Sequence, residues 1–465
     1  MTTGVVVGSG PNGLAAAVVL ARAGLDVTVL EQQDTIGGGA RSAELTVPGL
    51  VHDVCSAIHP TGIASPFLQS LDLGRHGLEW VLPEVQAAHL ADPHRAGLLY
   101  RDVERTAASM GPDADRWRRI FEPLVEHVDD VVEDIFGPVV HVPRHPLRFA
   151  RFGARAGLPL ALATARWKGK ESRALMAALA AHVIAPMTRP TTTGIAVMFA
   201  MIAQSYGWPA ARGGSQAIVD ALVAELREHG GRVETGHHVT SLPVADVVML
   251  DTTPGAALAI AGDRLPPATR AMFAHWKHGP ASYKVDLAVE GGVPWLHDDV
   301  RRAGTVHLGG DFAAVHRSER QVVSGRLPDR PFVLLAQQYL ADPGRSVGDV
   351  HPVWAYTHVP AGYDGDVTDR LLDEVELHAP GLRDRIVGMH VERPADLEAG
   401  NANYVGGDIT GGANTFRQTV FRPRPGIDPY RLADGLYLCS SSTPPGGGVH
   451  GMAGYHAATR AVRHL

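Results

Sequence analysis

Apolar positions recur along this chain with two periods. Short runs alternate every second residue, and longer runs repeat every three to four, the signatures of strands and of helices. The first run, Gly4 to Val7, reads as a strand that breaks into Gly8-Ser9-Gly10-Pro11-Asn12-Gly13, and an Ala/Val/Leu helical pattern follows from Leu14 to Ala23. Gly24 stands where a helix C′ residue is expected, and Asp26 to Leu30 alternates as a second strand that ends on Glu31. Further along, the patterning predicts helices over Arg116 to Ile135, Ser172 to Met187 and Ser215 to His229. It predicts strands over Ala245 to Leu250, Ser282 to Val289, Phe332 to Gln338 and Gly435 to Cys439, and one ending near Val239. A last helix runs through Ala457 and Ala458.

The longest apolar stretch, Gly194 to Ala203, is too short to span a bilayer and predicts a buried helix. With 465 residues, of which 45% are hydrophobic, the chain can bury two ordinary cores. Its net charge of −7 gives no overall basic field, which argues against a nucleic-acid partner. Only Cys55 and Cys439 occur, so there is no disulfide framework and no CxxC pair. The first residues show no secretory signal pattern, and a reducing, cytoplasmic location is expected.

The strand, turn and helix at 4–23 carry the first chemistry. In such a turn Gly8 permits the chain reversal, Gly10 lets a diphosphate approach the main chain, and Gly13 lets the helix pack against the strand. Free N–H groups at the helix start then meet the anion. Glu31, at the end of the next strand, is spaced to accept the ribose hydroxyls and would repel an NADP 2′-phosphate. A second strand, glycine turn and helix comes late in the chain, from Gly435 to Ala458, through Ser441, Gly447, Gly448, Val449 and His450.

GxGxxG, then Glu31, then Gly38-Gly39-Ala40-Arg41-Ser42 resembles the glutathione-reductase-type FAD fold, in the branch of amine oxidases, phytoene desaturases and carotenoid isomerases. The resemblance implies an α/β protein. Its FAD-binding Rossmann domain is discontinuous (1–75, 205–275 and 425–465), and a mixed α+β substrate domain is made of 76–204 and 276–424. It also implies that Pro11 and Asn12 join the diphosphate turn, that Arg41 places a cation beside the diphosphate, and that Val239 meets adenine through its backbone. The late glycine turn would face the flavin, although Ser440 to Ser442 replace the acid that commonly follows that strand. Stretches such as HDVCSAIHP (52–60), NANYVGGDITGGA (401–413) and STPPGGGVHGM (442–452) resemble the subgroup of pyridine nucleotide-disulfide oxidoreductase domain-containing protein 2. Without a CxxC or a second GxGxxG, a dithiol relay with its own NAD(P)H domain is not expected.

Flavin chemistry needs a C–H or N–H bond held over the ring and a group that handles a proton. The candidates are His450 in the late glycine turn, His59 in SAIHP, Tyr356 and Lys284, with His307 and His358 behind them. No metal site is expected, because the histidines lack ligand spacing and only two thiols exist. Between Ile135 and Lys170 no acid occurs, while Arg144, Arg148, Arg151, Arg155, Arg166, Lys168 and Lys170 are interleaved with apolar residues. That segment is either a solvated helix face or a contact for an anionic membrane surface. The expectation is an FAD-dependent desaturase, dehydrogenase or oxidase acting on a lipophilic or amphipathic small molecule. The alternatives are a redox-neutral isomerase on reduced flavin and a flavin-binding protein that acts through partners. A homodimer is left open.

Overall fold

A computed structural model describes every residue of the chain except 139 and 427. Two sheets organise it. The first runs, in spatial order, Arg431–Ala433, Leu436–Leu438, Val247–Leu250, Thr3–Val7, Asp26–Leu30 and Arg232–Glu234. All its neighbours are parallel except the first pair, and Val7 lies level with Leu30 on one side and Leu250 on the other. Such a sheet is buried on both faces, which is why its central strands read as nearly unbroken apolar runs. Helix Pro11–Arg22 covers one face and packs on helix Met452–Arg463. The contact is so close that a Cβ on Gly454 would overlap the Asn12 carbonyl.

The second sheet runs Ile386–Glu392, Ala281–Glu290, Val350–Val359, Val333–Ala336, Ala303–Leu308, Val85–Asp92 and Arg95–Leu99. It is antiparallel except between Ala303–Leu308 and Val85–Asp92. One face, with Tyr283, Val285, Val353 and Leu335, forms a core with Leu371, Leu372 and Val375 of helix Thr368–Glu376. The register sets Lys284 beside Tyr356 and Asp286 beside Trp354 on the opposite face, which looks toward the first sheet.

Several expected elements end elsewhere. The predicted helix over 116–135 is two, Ala114–Val125 and Val128–Ile135, because His127 leaves helical geometry (φ −126°, ψ 33°) and a new first turn with Asp129 and Asp130 begins. The helix expected to reach Met187 spans Lys170–Ala181, and Ile184 takes a left-handed φ of 48° ahead of Pro186. The strand expected near Val239 stops at Glu234, since Gly236 turns the chain with φ 71°. The apolar stretch at 194–203 lies inside the helix Thr192–Ser205.

A buried ion pair ties the short two-stranded sheet at Ser42–Glu44 and Val51–Asp53 to the turn Pro343–Arg345. Asp53, on the short strand Val51–Asp53, has an oxygen 2.6 Å from Arg345, and both side chains are within 1% of full burial. Its other oxygen accepts from the Ser42 hydroxyl and the Ser215 amide, while Arg345 also donates to Asp342 and to the Ala211 carbonyl. Burial alone would raise the Asp53 carboxyl, but Arg345 and the Ser215 amide hold it below the ordinary range. Removing one partner of such a pair leaves an uncompensated buried charge. Arg345→Met should therefore lower stability by about 3–5 kcal/mol, and Asp53→Asn with Arg345→Met should recover part of the loss. Urea unfolding of the three proteins measures this, and equal midpoints for wild type and Arg345→Met would refute it.

Candidate active site

A cleft of about 1050 Å³ runs between the two sheets. It lies at the top of the roughly 300–1,000 Å³ range of drug-sized sites, leaving room for a dinucleotide and a further molecule. One end is the early glycine turn. Gly8 has φ 102°, and a Cβ there would come within 2.9 Å of the Asp251 carbonyl, so only glycine fits. Helix Pro11–Arg22 starts at this point, and the Gly10 and Asn12 amides are left without a protein acceptor. The buried Asn12 Oδ1 is also without a partner. Gly8, Gly10, Pro11 and Asn12 line the cleft. Gly13 does not; a Cβ there would overlap the Gly8 carbonyl, so its part is to bring helix and strand together.

Glu31 lines the cleft with its carboxylate fixed by the Ser9 amide (2.9 Å), the Ser9 hydroxyl (2.6 Å) and the Gln33 amide (2.9 Å). A carboxylate has lone pairs to spare for two ribose hydroxyls. Val239 lines the same end with Ala256 and Ile260, an apolar wall for a base. Gly38, Gly39 and Arg41 form the adjoining edge. The Arg41 guanidinium is tied to the carbonyls of Gly38 (2.9 Å) and Gly400 (2.7 Å), so it fixes two loops as well as presenting charge. Ala40 and Ser42 lie behind this edge and do not line the cleft; Ser42 instead serves the Asp53 network.

The middle of the cleft is walled by the late glycine turn, through Ser441, Gly447, Gly448, Val449 and His450. His450 was a proton-transfer candidate, and its surroundings give it another task. It is buried, its Nδ1 accepts the Met452 amide at 3.0 Å, and the Gly446 and Gly447 carbonyls face the ring. Burial pulls its pKa down to about 4, so it is a neutral ring that shapes the turn. His59 does not line the cleft; it is buried with Nε2 2.8 Å from the Ser215 hydroxyl, next to the Asp53 network. Lys284 is also absent from the lining, because Asp286 and Glu392 hold its ammonium in the sheet. Tyr356 alone of the expected proton-handling residues faces the open cleft without a structural partner, beside Trp354.

The far end is aromatic. Trp208, Phe199 and His182 pack together there, and the indole nitrogens of Trp208 and Trp354 and the Thr305 hydroxyl are buried without partners. His182 Nε2 lies 3.1 Å from Nε2 of His307, whose Nδ1 is 3.2 Å from the Ala88 carbonyl. These contacts put the shared hydrogen on His182 and leave its Nδ1 as an acceptor. Burial lowers the His182 pKa to about 3, so the ring stays neutral. His307 is thus a support for His182, and His358 is tied to Glu319 at 2.8 Å. Cys55 lines the cleft as a thiol, its pKa pushed up to about 11 by burial. On the surface, His76, Glu225 and Glu228 come together, and Arg75, 2.6 Å from both carboxylates, supplies their counter-charge.

Two residues at the diphosphate end were not singled out by sequence. Asp251, at the end of strand Val247–Leu250, accepts the Gly13 amide at 2.9 Å and lines the cleft. Asn403 accepts the Thr253 amide (3.0 Å) and donates to the Asp251 carbonyl (2.8 Å), bracing that strand end. Sequence offers only their neighbours as a signal, a strand end and an Asn-Ala-Asn turn.

Comparison with known proteins gives the same outline. Residues 6–71 match the family model of the NAD(P)-binding Rossmann-like domain. The chain is 26% identical to pyridine nucleotide-disulfide oxidoreductase domain-containing protein 2 of Rattus norvegicus, over 99% of this chain and 93% of that protein. A stretch covering 25% of the chain and 22% of its relative is 31% identical to a limonene dehydrogenase component of Castellaniella defragrans. Among solved structures, a putrescine oxidase bound to putrescine superposes with a TM-score of 0.63 at 17% identity, over 100% of this chain and 98% of that one. The amides at the helix start, the ribose acid, the base wall and the late glycine turn line one cleft, and together they fit FAD.

Burial, with the Glu31 charge adding to it and the Gly13 amide opposing it, raises the Asp251 carboxyl to about 7. A folded-state pKa above the unfolded one means that the stabilising contribution is full below about 4 and is lost as pH rises through about 7. A diphosphate beside it adds to the cost of ionisation. FAD affinity should therefore weaken by up to about tenfold per pH unit above 7, and Asp251→Asn should abolish that dependence. Flavin-fluorescence titration of apoprotein from pH 6 to 9 measures it; parallel curves for the two proteins would refute the role.

Proposed function

We propose that this chain is an FAD-dependent oxidoreductase of the phytoene dehydrogenase-like kind that removes a hydride from a mostly apolar organic substrate. The observation that carries the proposal is the continuity of one cleft from a dinucleotide cradle to an aromatic compartment on the polar face of the second sheet. FAD bound in this cleft would supply a two-electron acceptor for a substrate hydride. The protein's own residues do the rest. The turn at Gly447 and Gly448, held by His450, sets main chain against the cofactor. Trp208, Phe199 and Trp354 exclude water and take up an apolar body, and Tyr356 and His182 offer hydrogen-bonding atoms where a proton must be held or moved. Limonene, in the name of one relative, is an apolar hydrocarbon, in keeping with this compartment. Purified protein should be yellow, and under anaerobic conditions an apolar alcohol, amine or alkene from a substrate panel should bleach the flavin. Turnover only after prior chemical reduction would replace this reading with an isomerase.

We further propose a peripheral membrane contact at the cleft mouth. Helix Pro146–Ala156 lends Phe149 and Phe152 to the cleft wall, while Val142 (91%) and Leu147 (86%) stand exposed beside it. Arg148 pairs with Asp130 and Arg144 with Glu133, which leaves Arg151 and Arg155 to face anionic lipid. No helix among the described residues is long and apolar enough to cross a membrane. The protein should float with phosphatidylglycerol vesicles, and Leu147→Ser with Arg151→Ala and Arg155→Ala should not. Equal flotation removes the idea.

A further inference from the structure

Arg422 is 5% exposed and lines the cleft, yet no carboxylate among the described residues lies within ion-pair distance of it. Its guanidinium has only neutral partners: the Gln418 carbonyl (3.4 Å), the Ser441 carbonyl (3.1 Å) and Asn414 Oδ1 (3.2 Å). Five N–H groups are available and three are used. Burial lowers its pKa to about 10, and Asp408, the acid whose charge it feels, is already bonded to the Gly279 amide and the Thr410 amide and hydroxyl. From the other side of Asn414, Arg189 donates to the Asn414 carbonyl at 3.3 Å, lines the same cleft and is likewise without a carboxylate. A buried cation is retained at a cost unless an anion meets it. Here two guanidinium groups converge on one residue with none. Val183, Ala185 and Val420 line the cleft next to them, and Phe199 and Met198 continue the apolar wall inward. The acids that line this cleft, Glu31, Asp251 and Asp134, are engaged elsewhere: the first two at the diphosphate end, and Asp134 with the Arg144 and His145 amides.

We propose that Arg189 and Arg422 form a carboxylate clamp, so that the substrate is an apolar organic acid whose hydrocarbon body lies in the aromatic compartment. Planar guanidinium groups match a carboxylate bidentately, which a lysine would not. The proposal rests on the oxidoreductase reading of the cleft. The same anion chemistry could instead come from the cofactor's own phosphates, so the test has two arms.

Octanoate and octanamide are titrated into FAD-loaded protein by calorimetry, and FAD per chain is measured for wild type, Arg189→Ala and Arg422→Gln. Octanoate should bind about tenfold or more tighter than octanamide, and both substitutions should remove that preference while FAD content stays at the wild-type value. Equal affinities for acid and amide, or no octanoate binding, would overturn the clamp. Loss of FAD in both variants would assign the pair to the cofactor and overturn it as well. Arg189, half-buried, gives a reading even where Arg422→Gln does not fold. Calorimetry needs no turnover, so a flavin that no substrate bleaches counts against the oxidoreductase reading alone.

Discussion

The Asp53–Arg345 pair, sealed from solvent on both sides, ties the short strand Val51–Asp53 to the turn Pro343–Arg345. Asp53 also accepts from Ser42 and Ser215, and Arg345 also donates to Asp342 and to the Ala211 carbonyl, neighbours that are themselves structural. Ser42 in turn accepts the Gln216 amide at the start of the helix Gln216–Glu228, and Ser215 holds His59. The interface is therefore polar and directional. Apolar packing alone would tolerate sliding, whereas a hydrogen-bonded ion pair favours one arrangement.

Charge is distributed unequally along that cleft. At the dinucleotide end two carboxyls, Glu31 and Asp251, lie close to where a diphosphate would sit, and main-chain amides must outweigh them. In the middle the polar groups are neutral, and burial keeps His450 and His182 without charge. Toward Asn414 the free charge is positive. One cleft thus presents main-chain amides, neutral rings and guanidinium groups.

Local features were legible in the sequence. Gly8, Gly10, Gly13 and Glu31 could be read because strand, turn and helix are contiguous and their spacing is dictated by backbone geometry. The seven-stranded sheet was visible only in fragments, since Ser282 to Val289 alternates cleanly while the partners that give it order come from far along the chain. Proton chemistry was the least legible. Lys284, His59 and His450 look like free polar groups in a one-dimensional string, yet each is held by a residue brought in by the fold or by the backbone turning on itself. Arg422 and Asp251 failed to stand out for the converse reason: nothing in the sequence shows that an arginine lacks a carboxylate or that an aspartate is walled in.

The packing of Gly454 on Asn12 has a bearing on how the molecule is made. The helix that opens the diphosphate cradle is roofed by residues 452–463, and strand Leu436–Leu438 must lie beside Val247–Leu250 to extend the sheet. During synthesis, the early segment therefore emerges with one flank bare and waits for partners that the ribosome delivers several hundred residues later. At about 5–20 residues per second that interval is tens of seconds, long enough to make the nascent chain a client for chaperones.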